Sequence, residues 1–264
     1  MSWPFDTSAE LVTPQHVARL QRERRGLSEE EDRSPPFLLA TFQWAAYDRL
    51  LQRAGAEHVT AHHGGSGGIG DRTAGAVDGT PVAIARISIG APAAAIVLEL
   101  AIARGARQVL VVGSAGSLQQ NLPIGSTVIV DGAEREDGTS HHYLPVGEVV
   151  RADPELTARF EGALIARGAT PVRGRSWTID APYRETTGAI ARHRAAGVLV
   201  AEMEAAAIFA VAKVRGARAA LAVAVSDELF DEWHPGFDHE DYMRALVRAA
   251  DAAADLVPQL ALDA

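Results

Sequence analysis

The stretch from Val198 to Leu229, VLVAEMEAAAIFAVAKVRGARAALAVAVSDEL, limits the fold more than any other part of the chain. Val198, Leu199 and Val200 form a short apolar run that reads as a strand. Glu202-Met203-Glu204 then opens an alanine-rich segment with Ile208, Phe209 and Val211 at helical spacing, and Gly216 supplies its stop. From Ala219 to Val225 the chain is continuously apolar, as a parallel strand covered on both faces requires, before it runs into polar Ser226-Asp227-Glu228. Strand, buried helix and strand make up the repeating unit of an open α/β sheet. Such sheets bind ligands beyond the carboxyl ends of their strands, so both acidic clusters belong at one crevice.

Residues two apart point about 200° apart on a helix but the same way on a strand, so the spacing of Glu202 and Glu204 does not decide whether they share a task. A carboxylate accepts hydrogen bonds from two neighbouring sugar hydroxyls, and its charge favours a sugar ring that turns cationic as a bond to it breaks. Met203 between them offers a polarizable apolar surface. The same carboxylates also suit a first helical turn, where they complement the helix dipole, and Ser226-Asp227 also suits a cap or turn. Spacing alone leaves both readings standing.

The rest of the chain alternates helices and strands without an internal repeat, which predicts one α/β domain with a three-layer α/β/α arrangement and a mixed, largely parallel central sheet. Residues 1–36 are expected to be a peripheral N-terminal arm, with a short helix over Pro14 to Arg25 and an acidic linker from Ser28 to Asp32, and residues 37–264 a single domain. Phe37 to Ala54 reads as a half-buried helix ending at Gly55. Asp71 to Gly79 reads as turn-rich, and the stretch from Pro81 and Val82 through Ile89 as a strand. A helix over Ala93 to Arg104 follows Gly90-Ala91-Pro92, and Val109 to Val112 is a strand running into Gly113-Ser114-Ala115-Gly116-Ser117. Those glycines either permit close backbone approach to an anion or sugar oxygen, or form a tight turn. Further strands are expected over Ser126 to Val130 and Pro171 to Ile179, with helices from Asp153 to about Gly168 and from about Asp238 to Val257.

Composition excludes several classes. A formal charge of −9 argues against nucleic acid or an anionic membrane as the main partner. The absence of cysteine removes disulfides, thiolate nucleophiles and cysteine-held clusters. Lys213, the one lysine, sits inside the predicted core helix, which argues against Schiff-base chemistry. MSWPFDTSAE has neither a basic flank nor an apolar core, so a cytoplasmic location is expected.

Two motifs in the glycine-rich patch fail on context. Gly65 to Gly70 fits GxGxxG and Gly64 to Gly68 fits GxSxG, but both require a strand before and a helix after, and the flanks read as neither. The pairs His62-His63 and His141-His142 lack ligand spacing, so no metal is expected. The polar loop from Glu136 to Tyr143 that carries His141 and His142 remains a candidate for binding.

Taken together, Val200-Ala201-Glu202-Met203-Glu204-Ala205-Ala206, Gly90-Ala91-Pro92, Val112-Gly113-Ser114-Ala115-Gly116, Asp180-Ala181-Pro182-Tyr183 and Ser226-Asp227 resemble, in order, the nucleoside phosphorylase family of purine nucleoside phosphorylases, uridine phosphorylases and related nucleosidases. The resemblance runs from about Val82 to Leu229. It implies cleavage of the N-glycosidic bond of a nucleoside, a purine by preference, releasing free base and ribose 1-phosphate. No cofactor is implied, with phosphate as co-substrate and a homo-oligomer as the assembled form. It further implies that Glu204 holds the ribose hydroxyls, Met203 packs on the sugar and Glu202 lines the same pocket. Ser114 would meet phosphate, Ala115 and Gly116 would lie beside the nucleoside, Tyr183 near the base, and Asp227, oriented by Ser226, would protonate it. Two features depart from the pattern. Val111 stands where phosphorolytic relatives carry arginine, and their N-terminal glycine-rich phosphate loop has no clear counterpart. Arg72, Arg86 or Arg184 would then supply the phosphate contact. Without one, water is the nucleophile, and a binding protein without turnover is the remaining alternative.

Overall fold

The computed structural model describes residues 5–57, 70–230 and 232–263, with the backbone alone at 70–72. In chain order the helices are α1 (Pro14–Arg25), α2 (Glu29–Asp32), α3 (Trp44–Arg53), α4 (Ala91–Ala103), α5 (Pro154–Ala166), α6 (Thr187–Ala195), α7 (Ala205–Arg215) and α8 (Glu240–Leu262). The strands are β1 (Phe37–Thr41), β2 (Gly70–Val77), β3 (Thr80–Ile87), β4 (Gln108–Ser117), β5 (Thr127–Glu136), β6 (Val150–Arg151), β7 (Val172–Ile179), β8 (Val200–Glu202), β9 (Arg218–Glu228) and β10 (His234–Pro235). They join in one sheet of order β10-β9-β5-β7-β8-β4-β1-β3-β2, with β6 on β5 and an added β9–β4 pairing.

Strand alternation sends side chains to opposite faces of this sheet. Leu38 and Ala40 of β1, with Val109 and Val111 of β4, pack into a core shared with α4 and α7. Phe37, Leu39, Leu110 and Val112 pack with α3, α5 and α8. Each fully buried leucine or valine contributes roughly 1.5–3 kcal/mol relative to exposure, which is why central strands with no polar residue are stable only when covered on both sides. Of the ten pairings among the described residues, five are parallel and five antiparallel, so the sheet is mixed.

Four expectations are corrected. Phe37 to Thr41 is a buried strand rather than helix; its five residues are all buried and pair in parallel with β3 and β4, so the helix begins only at Trp44. The supposed turn-rich interval is β2, joined to β3 through Asp78 and Gly79 at φ 47° and 80°, the left-handed pair that a tight hairpin needs. Gly113 to Ser117 is not a turn but the continuation of β4, paired with β9 and β8. The acidic segment before Arg33 is the short helix α2, closed by a reciprocal Ser28–Glu31 cap, with Asp32 buried against Arg104. Helix α6 has no counterpart in the sequence reading, and α8 runs on to Leu262 through Pro258.

The arm helix α1 matches its expected bounds, capped by Thr13 at one end and by Gly26 at φ 65° at the other. No helix among the described residues is long and apolar enough to cross a membrane. The glycine-rich patch, His62 and His63 lie outside the described residues.

Candidate active site

The ends of three strands meet at Gly116, which pairs with Ala201 of β8 on one side and Asp227 of β9 on the other. Neighbouring strands lie about 4.8 Å apart, so the flanking backbones are separated by about 10 Å, a span that one sugar-plus-base molecule covers. The β4–β9 register shifts between Ala115 and Gly116, so Ser226 is the extra residue and Asp227 comes level with Gly116. A Cβ at Gly116 would sit 2.5 Å from Leu229 Cδ1 and 3.2 Å from Asp227 Oδ2, so glycine serves close approach here.

Glu202 is the last residue of β8. Its Oε1 accepts from the Ser176 and Thr178 hydroxyls of β7, and its Oε2 accepts from the backbone N–H groups of Glu204 (2.7 Å) and Ala205. Thr178 Oγ1 also accepts from Ala206 N–H at 3.0 Å. The first N–H groups of α7 have no cap from the N-cap side chain itself, and Glu202 and Thr178 supply it. Burial pushes the Glu202 carboxyl upward, and these four donors oppose the shift.

Glu204, at the N-cap of α7, is equally buried but much less engaged. Its Oε1 accepts from Gly90 N–H at 2.6 Å. Gly90 reaches this position at φ 111°, a conformation that favours glycine. Burial, reinforced by the neighbouring Glu202 charge, pushes Glu204 up to about 8.

Asp227 is fixed on both oxygens: Ser226 Oγ donates to Oδ1 at 2.7 Å and Trp233 Nε1 to Oδ2 at 3.0 Å. The Ser114 hydroxyl accepts from Gln43 Nε2 at 2.7 Å and is bonded to the buried Tyr242 hydroxyl. Glu185 follows the short turn Pro182–Arg184 and is half-buried. Its carboxylate has no hydrogen bond or ion pair among the described residues, and burial followed by the charge of Asp227 raises it to about 7.

One cavity of about 980 Å³ unites Ser114, Ala115 and Gly116 with Glu202, Met203 and Glu204, and with Tyr183, Ser226 and Asp227. Such a volume is in the range of small-molecule sites. Tyr183 stands fully exposed at the rim, while Phe42, Phe230, Trp233 and Phe237 supply further aromatic lining. Of the arginines considered for phosphate, Arg86 lies over the Trp44 ring at 3.8 Å and is not among the lining residues, and the Arg72 side chain is outside the described residues. Arg184 is exposed and also absent from the lining. Val111 is fully buried in the sheet. Arg194 of α6 is the one cationic side chain among the described lining residues, against Glu185, Glu202, Glu204, Asp227 and Glu232.

His141 lies beside Arg135, with Arg135 Nη2 3.2 Å from its Nδ1, and His142 lines a separate cavity with Tyr143 and Arg215. Among the described residues no cluster of three histidine, aspartate or glutamate side chains is disposed to hold a metal. Sequence reasoning missed Gln43, Glu185, Arg194 and Trp233. Gln43 was hidden by reading β1 as helix; as the polar residue just beyond a parallel strand it carried the signal. Glu185 precedes an unrecognised helix and Arg194 lies in its last turn, and nothing local marked them.

The family model described as the phosphorylase superfamily matches residues 39–261. A guanosine phosphorylase of Halorubrum lacusprofundi is 32% identical over 164 residues, which is 62% of this chain and 68% of that protein. Uridine phosphorylases of Haemophilus influenzae and Escherichia coli are 27% and 29% identical, over 57% and 56% of this chain and 66% and 64% of their own lengths. The match thus spans just under two thirds of those two relatives. A crystal structure of uridine phosphorylase from Vibrio fischeri, complexed with 6-hydroxy-1-naphthoic acid, has the same fold at TM-score 0.74 and 22% identity, covering 90% of this chain and 95% of that one.

Proposed function

The chain belongs to the phosphorylase superfamily, and on that premise we propose that it cleaves the N-glycosidic bond of a nucleoside, a purine by preference, with phosphate, releasing free base and ribose 1-phosphate. The observation that carries this reading is the single cavity holding Glu204 and Asp227 on opposite sides of Gly116. Glu204 faces the sugar and accepts from its vicinal hydroxyls, while Met203 packs on the apolar face of the ring. As the bond to the base lengthens, the sugar becomes oxocarbenium-like, and the acidic lining stabilises the growing positive charge. Asp227 gives the other end the carboxyl chemistry by which a purine leaves as a neutral molecule, and the guanosine phosphorylase among the relatives supports that base class. Ser114, steadied by Gln43 and Tyr242, meets the nucleophile.

A second reading, in which water replaces phosphate, is favoured by one observation: five carboxyl groups and a single guanidinium line the described part of the cavity, a poor setting for a dianion. The same reading includes a cytoplasmic homo-oligomer without a cofactor, made of residues 37–264 as one three-layer α/β/α domain with the preceding arm.

The test is incubation with a panel of nucleosides, with and without phosphate, following release of free base. Base released only with phosphate supports phosphorolysis, base released without it supports hydrolysis, and binding without release refutes catalysis. Asp227→Asn and Glu204→Gln are each expected to lower kcat/KM by about 100-fold or more.

A further inference from the structure

We propose that Arg194 reads the substituent at C6 of the purine, so that the site takes 6-oxopurines and discriminates against 6-aminopurines. The inference rests on the nucleoside-cleaving reading above and narrows the base that reading leaves open.

Helix α6 turns one face to the cavity. Thr187, Ile190, Ala191 and Arg194 line it, and offsets of three, four and seven residues make a single helical stripe. The last turn of α6 holds three basic residues, and they part ways. Arg192 is exposed, while His193 stacks on the Trp177 ring at 4.3 Å with its Nε2 3.2 Å from Glu136 Oε1. Of the three, Arg194 alone joins the cavity lining, half-buried. It is held at both ends. Its backbone carbonyl accepts from Gln119 Nε2 at 3.3 Å, just past β4, and its Nη1 donates to the Phe230 carbonyl at 3.2 Å. Among the described residues that is the one hydrogen bond of a guanidinium with five N–H donors, and no carboxylate pairs with it. A complement to the helix dipole needs no such placement, because Arg192 supplies it from solvent.

The anchor decides which end of the substrate Arg194 meets. Phe230 lies three residues past Asp227, in the loop whose Trp233 donates to that carboxyl group. The guanidinium is therefore tied to the Asp227 end of the cavity, across Gly116 from Ala201 and the β8–α7 junction that carries Glu204. A purine that takes its proton at N7 from Asp227 presents its C6 substituent next along the same edge, where an oxo group accepts and an amino group donates. A guanidinium offers donors alone, so it bonds the first and meets the second donor to donor. In a half-buried setting the lost bond is costly, because water replaces it poorly.

The experiment compares inosine and adenosine, whose bases differ at C6, with purine riboside, which carries hydrogen there. Wild type is expected to favour inosine over adenosine in kcat/KM by about 30-fold or more. Arg194→Ala is expected to lose about 30-fold on inosine while staying within a factor of about three on adenosine and purine riboside, and Arg194→Lys, which keeps a donor, to recover part of the loss. Equilibrium binding of the free bases hypoxanthine and adenine is expected to show the same preference, and Arg194→Ala to abolish it. The proposal is overturned if wild type favours adenosine or takes both equally, or if Arg194→Ala slows all three nucleosides alike, the mark of a displaced Phe230 loop. Release of no base from any nucleoside refutes the parent reading alone. The binding comparison then decides this one, since equal binding of the two bases, or a preference that Arg194→Ala retains, overturns it.

Discussion

Glu204 has a hydrogen-bond donor at one oxygen and a cavity in front of it, and its burial makes it a stability liability. Its carboxyl rises from an ordinary 4.5 to about 8, chiefly through burial. A group whose folded-state pKa lies above its unfolded value contributes stability that is complete below the unfolded pKa and is lost as pH climbs through the folded one. The fold therefore bears the cost of ionising Glu204 progressively from about pH 4.5 to about pH 8. Glutamine at 204 cannot ionise and still accepts from Gly90 N–H. Glu204→Gln is thus expected to gain stability over wild type by a few kcal/mol, to order of magnitude, as the medium goes from acidic to alkaline. Urea unfolding at both ends of that range measures it, and a pH-independent difference would refute it. At this scale much of the site was legible: Glu202, Met203, Glu204, Ser226 and Asp227 do share one cavity. Nothing in the spacing separated Glu202 from Glu204, because that distinction depends on hydroxyls that β7 brings up from twenty-odd residues earlier.

At the scale of elements, Glu202 ties a strand to a helix. It bonds two side chains of β7 and two backbone N–H groups at the start of α7, replacing the cap that α7 lacks. Glu202→Ala strands all four donors in a buried junction and is expected to cost about 2–4 kcal/mol in chemical denaturation. A stable variant with lost activity would instead make Glu202 a ligand group. The same junction explains where sequence reading succeeded and failed. Segments with a clear period or a glycine stop, such as α1, α4, α5 and α7, were legible within a few residues. Phe37 to Thr41 was misassigned because a short all-apolar run carries no period of its own, and only the parallel neighbours on both sides make it a strand. Gly113 to Ser117 looked like a turn because small residues mark turns locally, whereas here they let β4 lie against β8, β9 and Asp227.

Across the whole molecule, one face of the sheet is held by charge as well as by apolar contact. Asp251 of α8, 7% exposed, accepts from Arg49 Nε at 2.8 Å and Arg53 Nη1 at 3.0 Å, both on α3. Asp255, one turn on, bonds Arg53 at 2.7 Å and Arg167, just past α5, at 2.6 Å. Three helices distant in sequence are thereby fixed over β1, β4 and β9. Asp251→Ala removes the carboxylate shared by Arg49, Arg53 and Arg167, of which the last two keep Asp255, and is expected to lower stability by about 1–3 kcal/mol, with little change in kcat for any correctly folded fraction. Thermal unfolding and active-site titration together check both halves. None of these pairs was readable beforehand, since they join residues between 88 and 202 positions apart and only the closed fold brings them together.

Trp233 stands 61% exposed, with its indole N–H donating to Asp227 in the cavity wall. Trp177 is buried in the interior and Trp44 lies beneath Arg86. A molecule entering the cavity changes the surroundings of Trp233, which lines it, while leaving those of Trp44 and Trp177, which do not, largely as they were. The protein thus carries its own optical gauge of occupancy, in which a shift of indole emission registers binding even when no bond is broken.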